Sequence, residues 1–152
     1  MRHRATIGYR RVLGLLAVVP LIGAGLVGVG GAAAGTPVVA GLTSTPSTVA
    51  VGASAGLVAT ATNTTGAPVN VSLGVNLPNG VSVSAVSGTG GCTPRRLTRL
   101  IYCGAVGVPS GASASIAFSV TPAAAGSYAF QSYARVMYSS TNSTASRTLT
   151  AQ

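Results

Sequence analysis

The chain has 152 residues and a formal charge of +9, carried by nine arginines, with no lysine, aspartate or glutamate and a single histidine, His3. Beyond residue 40 the only charged side chains are Arg95, Arg96, Arg99, Arg135 and Arg147. That part therefore lacks the paired carboxylates of a glycosidase, the His and carboxylate ligands of a catalytic metal, and any side-chain carboxylate or imidazole to activate a Ser or Thr nucleophile.

In chain order, the first element is an export signal. Arg2, Arg4, Arg10 and Arg11 precede an apolar run over residues 12–29, and small residues follow. Ala32-Ala33-Ala34 and Val38-Val39-Ala40 both suit signal peptidase. The reading is a signal peptide over 1–34 with cleavage after Ala40 as the alternative, a linker over 35–44, and one domain over 45–152. A second possibility is an uncleaved anchor, because residues 12–34 are long enough as a helix to cross a hydrocarbon layer of about 30 Å, although Pro20 and several glycines interrupt it. Only in that case would the chain meet a membrane. In both cases the arginines stay on the cytoplasmic side and the rest is expected outside, secreted or at the cell surface. Tyr9-Arg10-Arg11-Val12-Leu13 resembles a twin-arginine signal but lacks Ser or Thr before the pair and Phe after it.

Four of the nine arginines lie in the leader, so the exported part carries +5 with no acidic side chain. It suits one compact domain. Residues 44–51 read as a frayed first strand. Leu57, Ala59 and Ala61 alternate with Val58, Thr60 and Thr62, and Val69, Val71, Leu73, Val75 and Leu77 with Asn70, Ser72, Gly74 and Asn76. Such period-two patterning belongs to strands with one buried face. Residues 81–86 and 100–106 follow, then 112–121, where every even position is apolar, and finally 127–138 and 145–151. Turn residues separate them at Gly66-Ala67-Pro68, Pro78-Asn79-Gly80, Pro109-Ser110-Gly111 and Pro122 to Gly126. The expected fold is all-β, an antiparallel immunoglobulin-like β-sandwich of 7–8 strands after an N-terminal signal helix, with a barrel as the lesser alternative.

Val51-Gly52, Asn63-Thr64-Thr65-Gly66, Leu77-Pro78-Asn79-Gly80-Val81 and Val108-Pro109-Ser110-Gly111-Ala112 form an ordered series. In this order the chain resembles the bacterial surface repeat family known as domain of unknown function eleven, over most of residues 45–151. The resemblance implies an Ig-like sandwich of secreted and cell-wall proteins, used in tandem as spacers or adhesive modules. This chain has one copy and ends at Gln152 without a sorting signal, so an anchored tandem stalk is not expected. Without acidic residues, no calcium binding is inferred.

Cys92 and Cys103 are the only cysteines, and an even number in an exported chain points to a disulfide. The spacing is not Cys-x-x-Cys, and two thiolates without His or carboxylate leave a metal shell incomplete, so neither a redox pair nor a metal site is expected, and no cofactor. Arg95, Arg96 and Arg99 lie within the disulfide loop, where guanidinium groups can clamp phosphate, sulfate or carboxylate oxygens. They equally serve as solubilising charge on a surface with little other charge. Tyr133 and Arg135 fall on the outward phase of residues 128–138 if Phe130, Ala134 and Val136 face the core, which suits either a contact patch or an ordinary outer strand face. Nucleic acid is disfavoured, because Tyr102 is the one aromatic near the loop arginines in sequence. The sequons at Asn63, Asn70 and Asn142 would count only in a eukaryotic secretory route. A free α-amine could serve a terminal nucleophile, but neither Gly35 nor Gly41 has one. Two functions remain: a non-catalytic binding or adhesion module for an anionic cell-wall polymer, acidic glycan or surface protein, and a structural component assembling through strand edges.

Overall fold

A computed structural model describes residues 35–152. The signal peptide and signal helix expected over residues 1–34 lie outside the described residues. Ten strands form: β1 (Val38–Thr45), β2 (Thr48–Val49), β3 (Ala55–Asn63), β4 (Val69–Asn76), β5 (Val81–Thr89), β6 (Arg95–Leu97), β7 (Leu100–Val108), β8 (Ser113–Pro122), β9 (Gly126–Val136) and β10 (Ser143–Ala151). They make a four-stranded sheet in the order β1-β3-β8-β5 and a six-stranded sheet in the order β2-β10-β9-β4-β7-β6. Pairing is antiparallel except for the short contact of β2 with β10, which is parallel. This is an Ig-like β-sandwich, and among the described residues no helix is long and apolar enough to cross a membrane.

The alternation that predicts the strands also builds the core. Ala114, Ile116, Phe118 and Val120 of β8 and Leu57, Ala59 and Ala61 of β3 point inward, against Val71, Leu73 and Val75 of β4, Ile101 of β7, Phe130 of β9 and Leu149 of β10. Each large side chain here contributes roughly 1.5–3 kcal/mol relative to exposure. Tyr128, near the start of β9, buries its ring and donates its hydroxyl to Ala124 O at 2.8 Å, the tyrosine corner of Ig sandwiches.

Among the described residues two polar side chains are wholly inside, Asn63 and Ser132. Asn63 closes β3 and donates its amide to Ala67 O (2.8 Å) and Val108 O (2.9 Å), while its Oδ1 accepts from Thr65 N and Thr65 Oγ1. It therefore pins the β3–β4 turn to the end of β7, and it is a structural asparagine rather than an accessible sequon.

The domain starts earlier than the sequence reading placed it. Residues 38–44, assigned to a linker, belong to β1: Val38, Ala40 and Leu42 are buried. The frayed strand over 44–51 is instead the end of β1, a cis Thr45–Pro46 peptide and β2, which crosses to the other sheet. The small apolar residues that suit signal peptidase are also those that a core-facing strand needs. Farther along, β5 continues to Thr89 through a bulge between Ser84 and Ser87, with Ala85 at φ +50°.

Two outcomes test this packing. A chain beginning at Gly41 loses Val38 and Ala40, and should be less stable than one beginning at Gly35 by about 3 kcal/mol, melting on the order of 10 °C lower by calorimetry. Asn63→Ala removes the side-chain donor to Val108 O and Ala67 O and the acceptor of Thr65 N, and should cost about 3 kcal/mol in urea unfolding.

Candidate functional site

Cys103 is an inward residue of β7, between Ile101 and Ala105, and Cys92 is buried in the segment that follows β5. The two form a disulfide with Cα atoms 5.5 Å apart. The bond thus ties the end of the four-stranded sheet to the six-stranded one. A disulfide is consistent with an extracytoplasmic compartment.

The three loop arginines do not act as one clamp. Arg95 to Leu97 is not loop but strand β6, joined to β7 by the two-residue turn Thr98-Arg99. Paired residues share a face and neighbours in a strand oppose. Arg95 pairs with Tyr102 and so lies on the outer face. Arg96 pairs with the fully buried Ile101 and turns the other way, and its Nη1 donates to Val83 O of β5 at 2.8 Å. Arg99 sits at the hairpin tip with Nε donating to Leu77 O at 3.4 Å. At the opposite side of the sandwich Arg147 donates Nε to Ser44 Oγ of β1 at 2.9 Å. Arg96 and Arg147 each bridge the two sheets at an open flank.

What the fold does bring together is the outer face of β6, β7, β4 and β9. Tyr102 and Tyr133 both pair with Gly74, from opposite sides. A Cβ at position 74 would lie 2.2 Å from Tyr133 Cζ and 2.3 Å from its hydroxyl. The phenol therefore occupies the space above Gly74, on the side toward Tyr102, and Gly74 is buried beneath it although it faces outward. The row runs Arg95, Tyr102, Gly74, Tyr133 across four strands. Arg135 pairs with Ser72, two residues on from Tyr133, and Met137 reaches across to Gly104, where an added Cβ would meet its Cε at 2.9 Å. Arg135 Nε is buried and has no hydrogen-bond partner among the described residues. A buried donor without an acceptor costs about 1–3 kcal/mol.

Tyr133 and Arg135 stand where the alternation of β9 puts them. Tyr102 corrects the reasoning on aromatics: it is not alone beside the arginines, because β4 sets Tyr133 next to it across a glycine. The available signal was an outward glycine in the middle of an alternating strand, which marks close approach of another group. Elsewhere, the outer face of the four-stranded sheet has a shallow depression of about 260 Å³ lined by residues such as Thr43, Val58, Ala117 and Ser119, without a charged side chain. Among the described residues no three His, Cys, Asp or Glu side chains gather to hold a metal.

No family model matches the chain, and no curated protein does. Solved structures do. A non-cellulosomal cohesin from the archaeon Archaeoglobus fulgidus superposes with a TM-score of 0.51 at 12% identity, over 75% of this chain and 91% of the cohesin. AvmM, which catalyses macrocyclization in alchivemycin A biosynthesis, gives 0.48 at 12% identity, over 76% and 90%. PapD-like domain 7 of human CEP192 gives 0.39 at 11% identity, over 97% and 96%. At these identities the likeness concerns the fold alone.

Removing the disulfide by Cys92→Ala with Cys103→Ala should cost about 3 kcal/mol in denaturant unfolding, as expected from loop entropy. Arg96→Ala should also destabilise, by about 1 kcal/mol, because Val83 O loses a charged donor.

Proposed function

We propose that this chain is an exported, non-catalytic Ig-like binding module that holds an anionic partner of the cell envelope on the outer face of its six-stranded sheet. The observation that carries this reading is the placement of two guanidinium groups, Arg95 and Arg135, on one outer face to either side of the Tyr102–Gly74–Tyr133 row. Neither guanidinium has a carboxylate side chain to neutralise it, since residues 35–152 contain none. Guanidinium groups recognise carboxylate, sulfate and phosphate through paired hydrogen bonds, and flanking aromatics supply contact area. The leader-like N-terminus, the disulfide and the ordered motifs resembling the bacterial surface repeat family point to the same compartment and role.

Assembly by strand addition has less support. The edges of the six-stranded sheet are only two and three residues long. On the other sheet, β5 is bulged and its Val83 O is taken by Arg96. Ala40 N of β1 donates to Ser143 Oγ. Short, bulged and covered edges resist pairing with another chain.

The test is co-sedimentation of the exported protein with isolated envelope fractions through a salt series. Binding should fall as ionic strength rises, because the charges are exposed to screening. Arg95→Ala with Arg135→Ala should lower it about tenfold or more, while Arg147→Ala should leave binding intact. Absence of co-sedimentation at low salt would sink the proposal.

A further inference from the structure

We infer that the anionic partner is an acidic polysaccharide, a chain of sugar rings bearing carboxylate or sulfate groups, laid across β6, β7, β4 and β9. This rests on the binding role proposed above and names the class of ligand that the same face selects.

The first argument is the spacing of charge. Arg95 and Tyr133 are three strand intervals apart, about 14 Å at the usual separation of neighbouring strands. Arg135 lies two residues along β9 from Tyr133, about 7 Å away at right angles to that row. Two guanidinium groups thus serve the whole span, with two phenol rings between them. A nucleic acid or polyphosphate carries a charge on every repeat and gains affinity with each one neutralised. Two widely separated cations exploit such a chain poorly. A polysaccharide with an acid group only on some of its rings matches them, its charged groups meeting Arg95 and Arg135 while the neutral part of the chain crosses the tyrosines.

The second argument is the chemistry between the charges. The C–H faces of a pyranose ring are apolar and pack on aromatic surfaces, while its hydroxyls need partners that both donate and accept. Asn76 and Gln131 are paired in the next row of the same face and both are exposed. Ser72 stands between Gly104 and Arg135, and Thr144 beside Tyr133. These neutral groups suit hydroxyls. The third argument is the seat of Tyr133: with glycine at 74 the phenol is set down over the strand, so the row is low and continuous rather than broken by an upright side chain.

The experiment uses protein exported from the full 152-residue chain and measures binding by titration calorimetry. The probes are hyaluronan oligosaccharides, which carry a carboxylate on every second ring, lightly sulfated dextran, neutral dextran, polyphosphate and oligothymidylate, the charged ones matched in total charge. Hyaluronan or lightly sulfated dextran should bind about tenfold more tightly than polyphosphate or oligothymidylate, and neutral dextran should not bind. The two acidic glycans tell carboxylate from sulfate as the favoured group.

Gly74→Ala lifts Tyr133 from its seat without removing a charge, and the displaced atoms are the far end of a movable side chain. It should weaken glycan binding about fivefold while the melting temperature stays within a few degrees. Arg135→Lys keeps the charge but loses the planar fork, and should weaken binding about tenfold. Equal affinity for all polyanions, or insensitivity to Gly74→Ala, would overturn the polysaccharide assignment and leave the anion-binding role standing. A preference for oligothymidylate would overturn it in favour of single-stranded nucleic acid. Binding of no polyanion would remove both.

Discussion

In residues 35–152 there is no acidic side chain, so every guanidinium must either find a neutral oxygen or remain available to an outside anion. This constraint sorts the five arginines. Arg96 and Arg147 reach across the two open flanks of the sandwich to Val83 O and Ser44 Oγ, where ion pairs would serve in another protein. Arg99 secures a hairpin tip against Leu77 O. Arg95 and Arg135 are left on one outer face, and there the positive field is unopposed. Fold closure and surface chemistry are two outcomes of one composition.

The two faces of the molecule differ for the same reason. Over the four-stranded sheet, outward positions are largely Ser, Thr, Gly and Ala, and hydroxyls pair with one another across strands, as in Thr62 with Ser113 and Thr89 with Ser115, at 2.8 and 2.7 Å. These groups satisfy each other and present little to a charged ligand. Over the six-stranded sheet, aromatic and cationic side chains are concentrated by strand pairing alone, although they come from segments as distant as residues 95, 102, 133 and 135.

Much of the fold was legible because its signals are local. The alternation over residues 112–121 became β8, and the arithmetic of two exported cysteines became the Cys92–Cys103 bond. The first strand was hidden because Val38 and Ala40 satisfy two different patterns at once. Strand β6 was missed because three residues, two of them arginine, carry no alternation to read. Without β6 the opposite facing of Arg95 and Arg96 could not be foreseen, and the two were grouped. The tyrosine row was out of reach for a different reason: the outward phase of Tyr133 and of Gly74 could be read in each strand, but that they are neighbours depends on the register of β4 with β9 and β7, a non-local property.

The parallel contact of β2 with β10 has a mechanical meaning. Strand β10 closes the described domain and β2 follows β1 near its start, and the bonds Thr150 N to Ser47 O, Gln152 N to Val49 O and Val51 N to Gln152 O join them. A displacement that draws β2 backward and β10 forward acts along nearly the same line. The three hydrogen bonds are then loaded together in shear rather than opened one after another. A load carried in that direction therefore meets three bonds at once.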